Sequence, residues 1–142
     1  MSECKPPAIE TGNPAEELFH LKRNGKISRR SFSIIEMQRA GEEGGLLLAT
    51  TTANTPDDLH ADHWEIHPQG DELILVLEGE VRLVLEGPDE NGTTIRAGNA
   101  AIVPQARWHR FKWMGPVTLL FVTPPGGTEL REVGKPASHH RS

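Results

Sequence analysis

Two stretches of the sequence hold residue types that could do chemistry together. In "WEIHPQGDE" (64–72) an acid, an imidazole and a second acid follow one another as Glu65, His67 and Glu72. In "GNAAIVPQARWHRFKW" (98–113) a further imidazole, His109, stands between Arg107 and Phe111. Strand side chains alternate faces, so Glu65 and His67 point one way while Trp64 and Ile66 point the other. By the same parity His109 shares its face with Arg107, Phe111 and Trp113. A half-buried strand ordinarily turns apolar groups inward, and burying acids and imidazoles unpaired costs several kcal/mol. If the two strands line one interior, Glu65, His67, Glu72 and His109 converge on a site for a divalent ion. Neutral imidazole with carboxylate suits Fe(II), Mn(II), Ni(II) or Zn(II). The plainer alternative is that each is a hydrogen-bonded interior polar group. The chain has no Tyr, so acid–base chemistry would fall to Glu, Asp, His, Lys or water.

The elements that must position these groups read as short strands. From Phe32 onward, runs of aliphatic and β-branched residues are separated by Gly, Pro, Asn or Asp. They are 32–38, 46–52, 62–67, 72–78, 80–86, 93–97, 100–104, 107–113 and 117–123. Nine strands without a long helical period between them predict an all-β antiparallel sandwich or barrel. "GPDENG" (87–92) reads as a hairpin loop, and Gly79 as a sharp bend between two strands. Residues 1–31 read as an N-terminal arm or tail, with one helical turn at "PAEELFHLKR" (14–23). Residues 32–135 form the barrel domain and 136–142 a polar C-terminal tail.

Composition narrows the function classes. At 142 residues the chain is one domain in size, and its net charge of −5 advertises no nucleic-acid surface. The basic cluster "KISRR" (26–30) reads as a solvated face. Cys4 is the sole cysteine, which excludes an internal disulfide, and its polar surroundings make it a poor nucleophile. No apolar run has the length of a membrane helix and the N-terminus lacks a signal peptide's apolar stretch. The expectation is a cytoplasmic protein without membrane or nucleic-acid partners.

The two stretches resemble the paired motifs of the cupin superfamily, G(X)5HXH(X)3-4E(X)6G and G(X)5PXG(X)2H(X)3N. From His67 the first motif matches through Glu72 to Gly79, and the second matches at Gly98, Pro104 and His109. The resemblance spans roughly residues 45–125, and "WEIHPQGDE" with "VPQARWHRF" is similar to a group of small single-domain cupins. It departs at three positions: Glu65 stands where most metal cupins have the first His, Ala106 replaces Gly, and Trp113 replaces Asn. The resemblance implies a double-stranded β-helix, that is, a jelly-roll barrel. It also implies a bound divalent ion with Glu65, His67, Glu72 and His109 as ligands, and a homodimer. The natural reaction types are dioxygenase, isomerase and lyase on a small molecule; a non-catalytic ligand- or metal-binding module is the alternative.

The remaining residues have plainer readings. Arg107 and Phe111 would line the substrate pocket, and Arg107 makes an anionic or oxygen-rich guest the expectation. A structural salt bridge from Arg107 to Glu65 or Glu78 competes with that role. His63 has the parity of Glu65 and His67 but reads as a rim residue; His20, His139 and His140 read as surface groups. Gln69 and Gln105 sit on tight turns facing solvent. Trp64, Trp108 and Trp113 read as packing between sheets or at a dimer contact.

Overall fold

The computed structural model describes residues 5–88 and 90–135. Cys4, His139, His140 and the tail 136–142 lie outside them. Eleven strands form among the described residues. They are β1 (Glu17–Leu21), β2 (Ile27–Ser31), β3 (Leu46–Ala53), β4 (His63–Ile66), β5 (Glu72–Glu78) and β6 (Glu80–Leu85). After them come β7 (Thr93–Arg96), β8 (Ala100–Val103), β9 (His109–Lys112), β10 (Val117–Thr123) and β11 (Glu129–Glu132). One helix, α1 (Ile34–Glu43), lies between β2 and β3. No helix of the described residues is long and apolar enough to cross a membrane.

The strands form two antiparallel sheets, ordered β2-β1-β3-β10-β5-β8 and β11-β4-β9-β6-β7. Apart from the hairpin pairs β1–β2 and β6–β7, most neighbours come from distant parts of the chain, as in a jelly roll. Alternation along each strand sends Ile74, Val76, Val81, Leu83, Ile95, Val103, Val117 and Leu119 into one core between the sheets. Two such sheets close over each other because each has an inward apolar face that a single layer would leave wet.

Expectations for the N-terminal part hold only in part. Residues 14–16 make one turn, closed by the Glu17 N–H on the Asn13 carbonyl at 2.9 Å, but the rest of the segment is mostly β1, which pairs with β2 and with β3. Asn24 and Gly25 sit in the connecting turn, where Gly25 has φ 87°. That dipeptide is a hairpin signal, and it puts residues 17–31 onto the first sheet rather than into a free tail. The expected strand 32–38 is instead the first part of α1. Ser33 caps that helix, its hydroxyl accepting from the Glu36 backbone N–H at 3.1 Å, and Gly44 ends it at φ 82°. The β-branched pair Ile34 and Ile35 suggested a strand, yet both stay largely exposed. Ala40 faces inward against Leu18, Leu47 and Ala49.

His20 is not a surface residue but is fully buried. Its Nε2 lies 2.7 Å from the Gly44 carbonyl, and its Nδ1 accepts from Arg30 Nε at 3.1 Å. Arg30 continues to Glu36 and Glu43, and Arg29 pairs with Glu17. The basic cluster is thus largely spent on ion pairs.

Candidate metal centre

The four candidate ligands come together between the sheets. Glu65 on β4 stands directly opposite His109 on β9, so both point inward from the second sheet. His67 follows β4 by one residue and keeps the parity of Glu65. Glu72 opens β5 and reaches in from the first sheet. One ligand atom from each of Glu65, His67, Glu72 and His109 lies within 4.8 Å of all the others. His67 Nε2 is 2.9 Å from Glu65 Oε1 and 3.3 Å from Glu72 Oε2. His109 Nε2 is 3.2 Å from Glu72 Oε1 and 3.8 Å from Glu65 Oε1.

These separations fit a metal ion. Donors bound at about 2.1 Å stand roughly 3.0 Å apart when adjacent and about 4.2 Å apart when opposite. The nitrogens carry the stronger sign. His67 Nε2 and His109 Nε2 are buried and make no directional hydrogen bond, although carboxylate oxygens lie close by. Buried polar atoms normally find a hydrogen-bond partner. Two imidazole nitrogens instead aim at a shared point among oxygens, which is the arrangement a cation needs.

The other side of each ligand is held. His109 Nδ1 is 3.1 Å from the Arg107 carbonyl and donates to it, so that a neutral ring would have its lone pair on Nε2. His67 Nδ1 lies 2.9 Å from the Thr128 hydroxyl. The Thr123 hydroxyl donates to Glu72 Oε2 at 2.5 Å. Such outer partners fix ring orientation and tautomer at metal sites. Three bonds lash the two motif loops together: Ala106 N–H to the His67 carbonyl at 3.0 Å, Gln105 N–H to Asp71 at 2.7 Å, and Gln105 Nε2 to the Pro68 carbonyl at 2.8 Å. The sequence carries no sign of Thr123, Thr128 or Asp71, and Gln105 is exposed as expected from its turn but also ties the loops together. Their partners lie 34 to 61 residues away, so no local signal marks them.

The acids and imidazoles of the centre shift one another. Burial would push His67 down, but Glu65 and Glu72 beside it more than offset this and hold it at about 9. Burial would likewise raise Glu72, yet His109, His67 and the Thr123 hydroxyl hold it at about 2.

Arg107 does not join the cluster. It is exposed and donates to the Glu86 carbonyl at 3.3 Å, so the loop before β9 turns it away from its expected inward face. Phe111 does point inward, opposite Leu83, but packs against the core. A cavity of about 360 Å³ lies instead where β7 and β8 flank the gap between the sheets, lined by Leu83, Leu85, Ile95 and Val103, with Thr93 and Asn99 at its rim. Neither Arg107 nor Phe111 lines it. The cavity adjoins the centre by register, because Leu85 pairs with His109 and Val103 with Glu72.

The histidines and tryptophans outside the centre take other positions. His63 is drawn to Asp62, 2.8 Å away. Trp64 and Trp108 do not pack between the sheets; they lie on the outer face of the second sheet beneath Arg110 and Arg131, whose guanidinium carbons stand 5.3 and 4.6 Å from the rings. Trp113 packs against the core.

Residues 56–123, from the turn before β4 to the end of β10, match the family model of the cupin domain. Uncharacterized protein YdbB of Bacillus subtilis (strain 168) is 36% identical over 47 residues, 33% of this chain and 40% of that protein. This chain thus matches less than half the length of that relative. A Klebsiella pneumoniae protein with a double-stranded beta-helix domain superposes with TM-score 0.47 at 19% identity, over 63% of this chain and 71% of that one. Hydroquinone 1,2-dioxygenase from Sphingomonas sp. TTNP3, solved with 4-hydroxybenzoate bound, gives TM-score 0.43 at 18% identity, over 58% of this chain and 60% of that one. Superpositions this loose say nothing of activity. The match over these barrel strands, together with the jelly-roll topology they adopt, identifies residues 56–123 as a cupin domain.

Proposed function

We propose that Glu65, His67, Glu72 and His109 bind one first-row divalent ion, Fe, Mn, Ni or Zn, and that the chain acts on a small molecule held in the adjoining cavity. The observation that carries this reading is the convergence of two buried Nε2 atoms and two carboxylates, one ligand atom from each lying within 4.8 Å of all the others. A bound ion would supply Lewis acidity toward substrate oxygens. The chain supplies the rest: Thr128 and the Arg107 carbonyl orient the imidazoles, and Thr123 fixes Glu72. Glu65, the one ligand whose side chain is a third exposed, is the carboxylate placed to take and return a proton. Reactions of the dioxygenase, isomerase or lyase type can use this equipment. A non-catalytic module that stores or senses a ligand shares the same geometry, and turnover separates the two.

The test is metal content by elemental analysis of untagged protein. It is supplied in turn with Fe(II), Mn(II), Ni(II) and Zn(II), then desalted. One ion per chain, lost in His109→Ala, is the expected result. Retention of none of the four ions would sink the metal reading.

We also propose that the partner is a second copy. Leu48, Val122, Leu73 and Ile102 form one row across the outer face of the first sheet. Leu73 and Ile102 are exposed there, where a solvated face would carry polar groups. Leu73→Glu should turn a sedimenting dimer into a monomer; wild type that is already monomeric at micromolar concentration contradicts the pairing.

A further inference from the structure

The charge of the centre and the lining of the cavity together say what kind of molecule fits. We infer that the cavity takes an uncharged, largely apolar small molecule that presents oxygen to the Glu65–His67–Glu72–His109 cluster, and that it disfavours anions. The inference deepens the proposed function and replaces the anionic guest expected from Arg107.

The cavity of about 360 Å³ is lined by no charged residue. Leu83, Leu85, Ile95 and Val103 form its apolar wall, and the exposed Thr93 and Asn99 supply only uncharged polar groups. A volume near the small end of ligand sites, with apolar walls and few polar groups, suits a compact molecule. An anion entering this half-open space would give up part of its hydration to the apolar wall and meet no cationic side chain in exchange, which disfavours it. The one arginine that parity placed inside, Arg107, is exposed and spent on the Glu86 carbonyl.

The centre does not make up the deficit. Glu65 and Glu72 bring two negative charges, and a divalent ion cancels them to zero when both imidazoles are neutral ligands. Without metal, the two imidazoles can carry at most two positive charges, so the cluster is again neutral at best. A histidine in place of Glu65 would leave the metal-loaded centre with one net positive charge. Glu65 is therefore a residue that sets substrate charge, beyond any part it has in ligation.

Two probes of similar shape test this: α-hydroxyacetophenone, which is uncharged, and benzoylformate, an anion with the same ring and ketone and a carboxylate in place of the hydroxymethyl group. Calorimetric titration of wild-type protein, Zn(II)-loaded and metal-free, should show the uncharged probe binding at least about tenfold tighter in both states. In the Zn(II)-loaded Glu65→His variant the gap should close or reverse. Leu85→Phe, which fills the cavity with an apolar group, should weaken the uncharged probe by about tenfold while circular dichroism stays that of wild type. Equal or tighter binding of benzoylformate to wild type overturns the inference. So does failure of the uncharged probe to bind at all at millimolar concentration. A protein that holds no metal yet still prefers the uncharged probe would refute the metal reading and uphold this one.

Discussion

Raising the pH from about 7 to about 9 should strengthen Zn(II) binding by roughly 50-fold, because the ion competes with a proton on His67. In metal-free protein, burial pushes His67 down, but the adjacent Glu65 and Glu72 hold its pKa at about 9. Only the neutral imidazole can ligate, so each pH unit below that value should weaken binding about tenfold. Glu72, held at about 2, is already ionised and contributes no proton. His67 should therefore release about one proton per ion near pH 7. Calorimetry in buffers of different ionisation enthalpy counts that proton, and the same titrations give affinity against pH. Glu65→Gln removes one of the two anions beside His67 and should flatten the slope. An affinity indifferent to pH over this range, with no proton released, would refute the reasoning. Either the carboxylates would not be keeping His67 charged, or His67 would not be a ligand.

The same two groups set the stability of the metal-free fold. His67 is raised from 6.5 to about 9, so its contribution is full below 6.5 and fades as pH rises through about 9. Glu72 is lowered from 4.5 to about 2, so its contribution is full above 4.5 and fades as pH falls through about 2. Denaturation midpoints of metal-free protein should accordingly be highest between 4.5 and 6.5, and a midpoint still rising toward pH 9 would contradict the pairing. Thr128→Val should weaken metal binding by roughly 10–100-fold while Thr128→Ser retains it, since only the hydroxyl orients His67; equal affinity in both variants would show that the contact positions nothing. Gly79→Ala should cost about 2 kcal/mol or more in chemical denaturation, because Gly79 has φ 78° and a Cβ there would sit 2.4 Å from the Pro116 carbonyl oxygen. Ala106→Gly should stabilise by up to about 1 kcal/mol, since Ala106 holds φ 58° at a position where the family pattern has glycine; a lower melting temperature would contradict it.

What the sequence made legible follows from how local each signal was. The barrel strands from β3 to β10 announced themselves through aliphatic runs bounded by turn formers, and β5 and β10 run from 72 to 78 and from 117 to 123 as read. The grouping of Glu65, His67, Glu72 and His109 was legible because two strands of known parity, at the spacing of two motifs, leave little freedom in where the side chains go. The N-terminal part misled because its signals compete. Ile34 and Ile35 favour a strand by type, yet the Ser33 cap and the burial of Ala40 against Leu18, Leu47 and Ala49 favour a helix, and tertiary contact decides. Arg107 shows the limit of parity itself. It lies two residues before His109 but outside β9, and alternation stops constraining a side chain where the strand ends. Its exposure removes the cation that would have drawn an anion inward, which leaves the charge of the guest to be decided by Glu65 and the uncharged wall of the cavity.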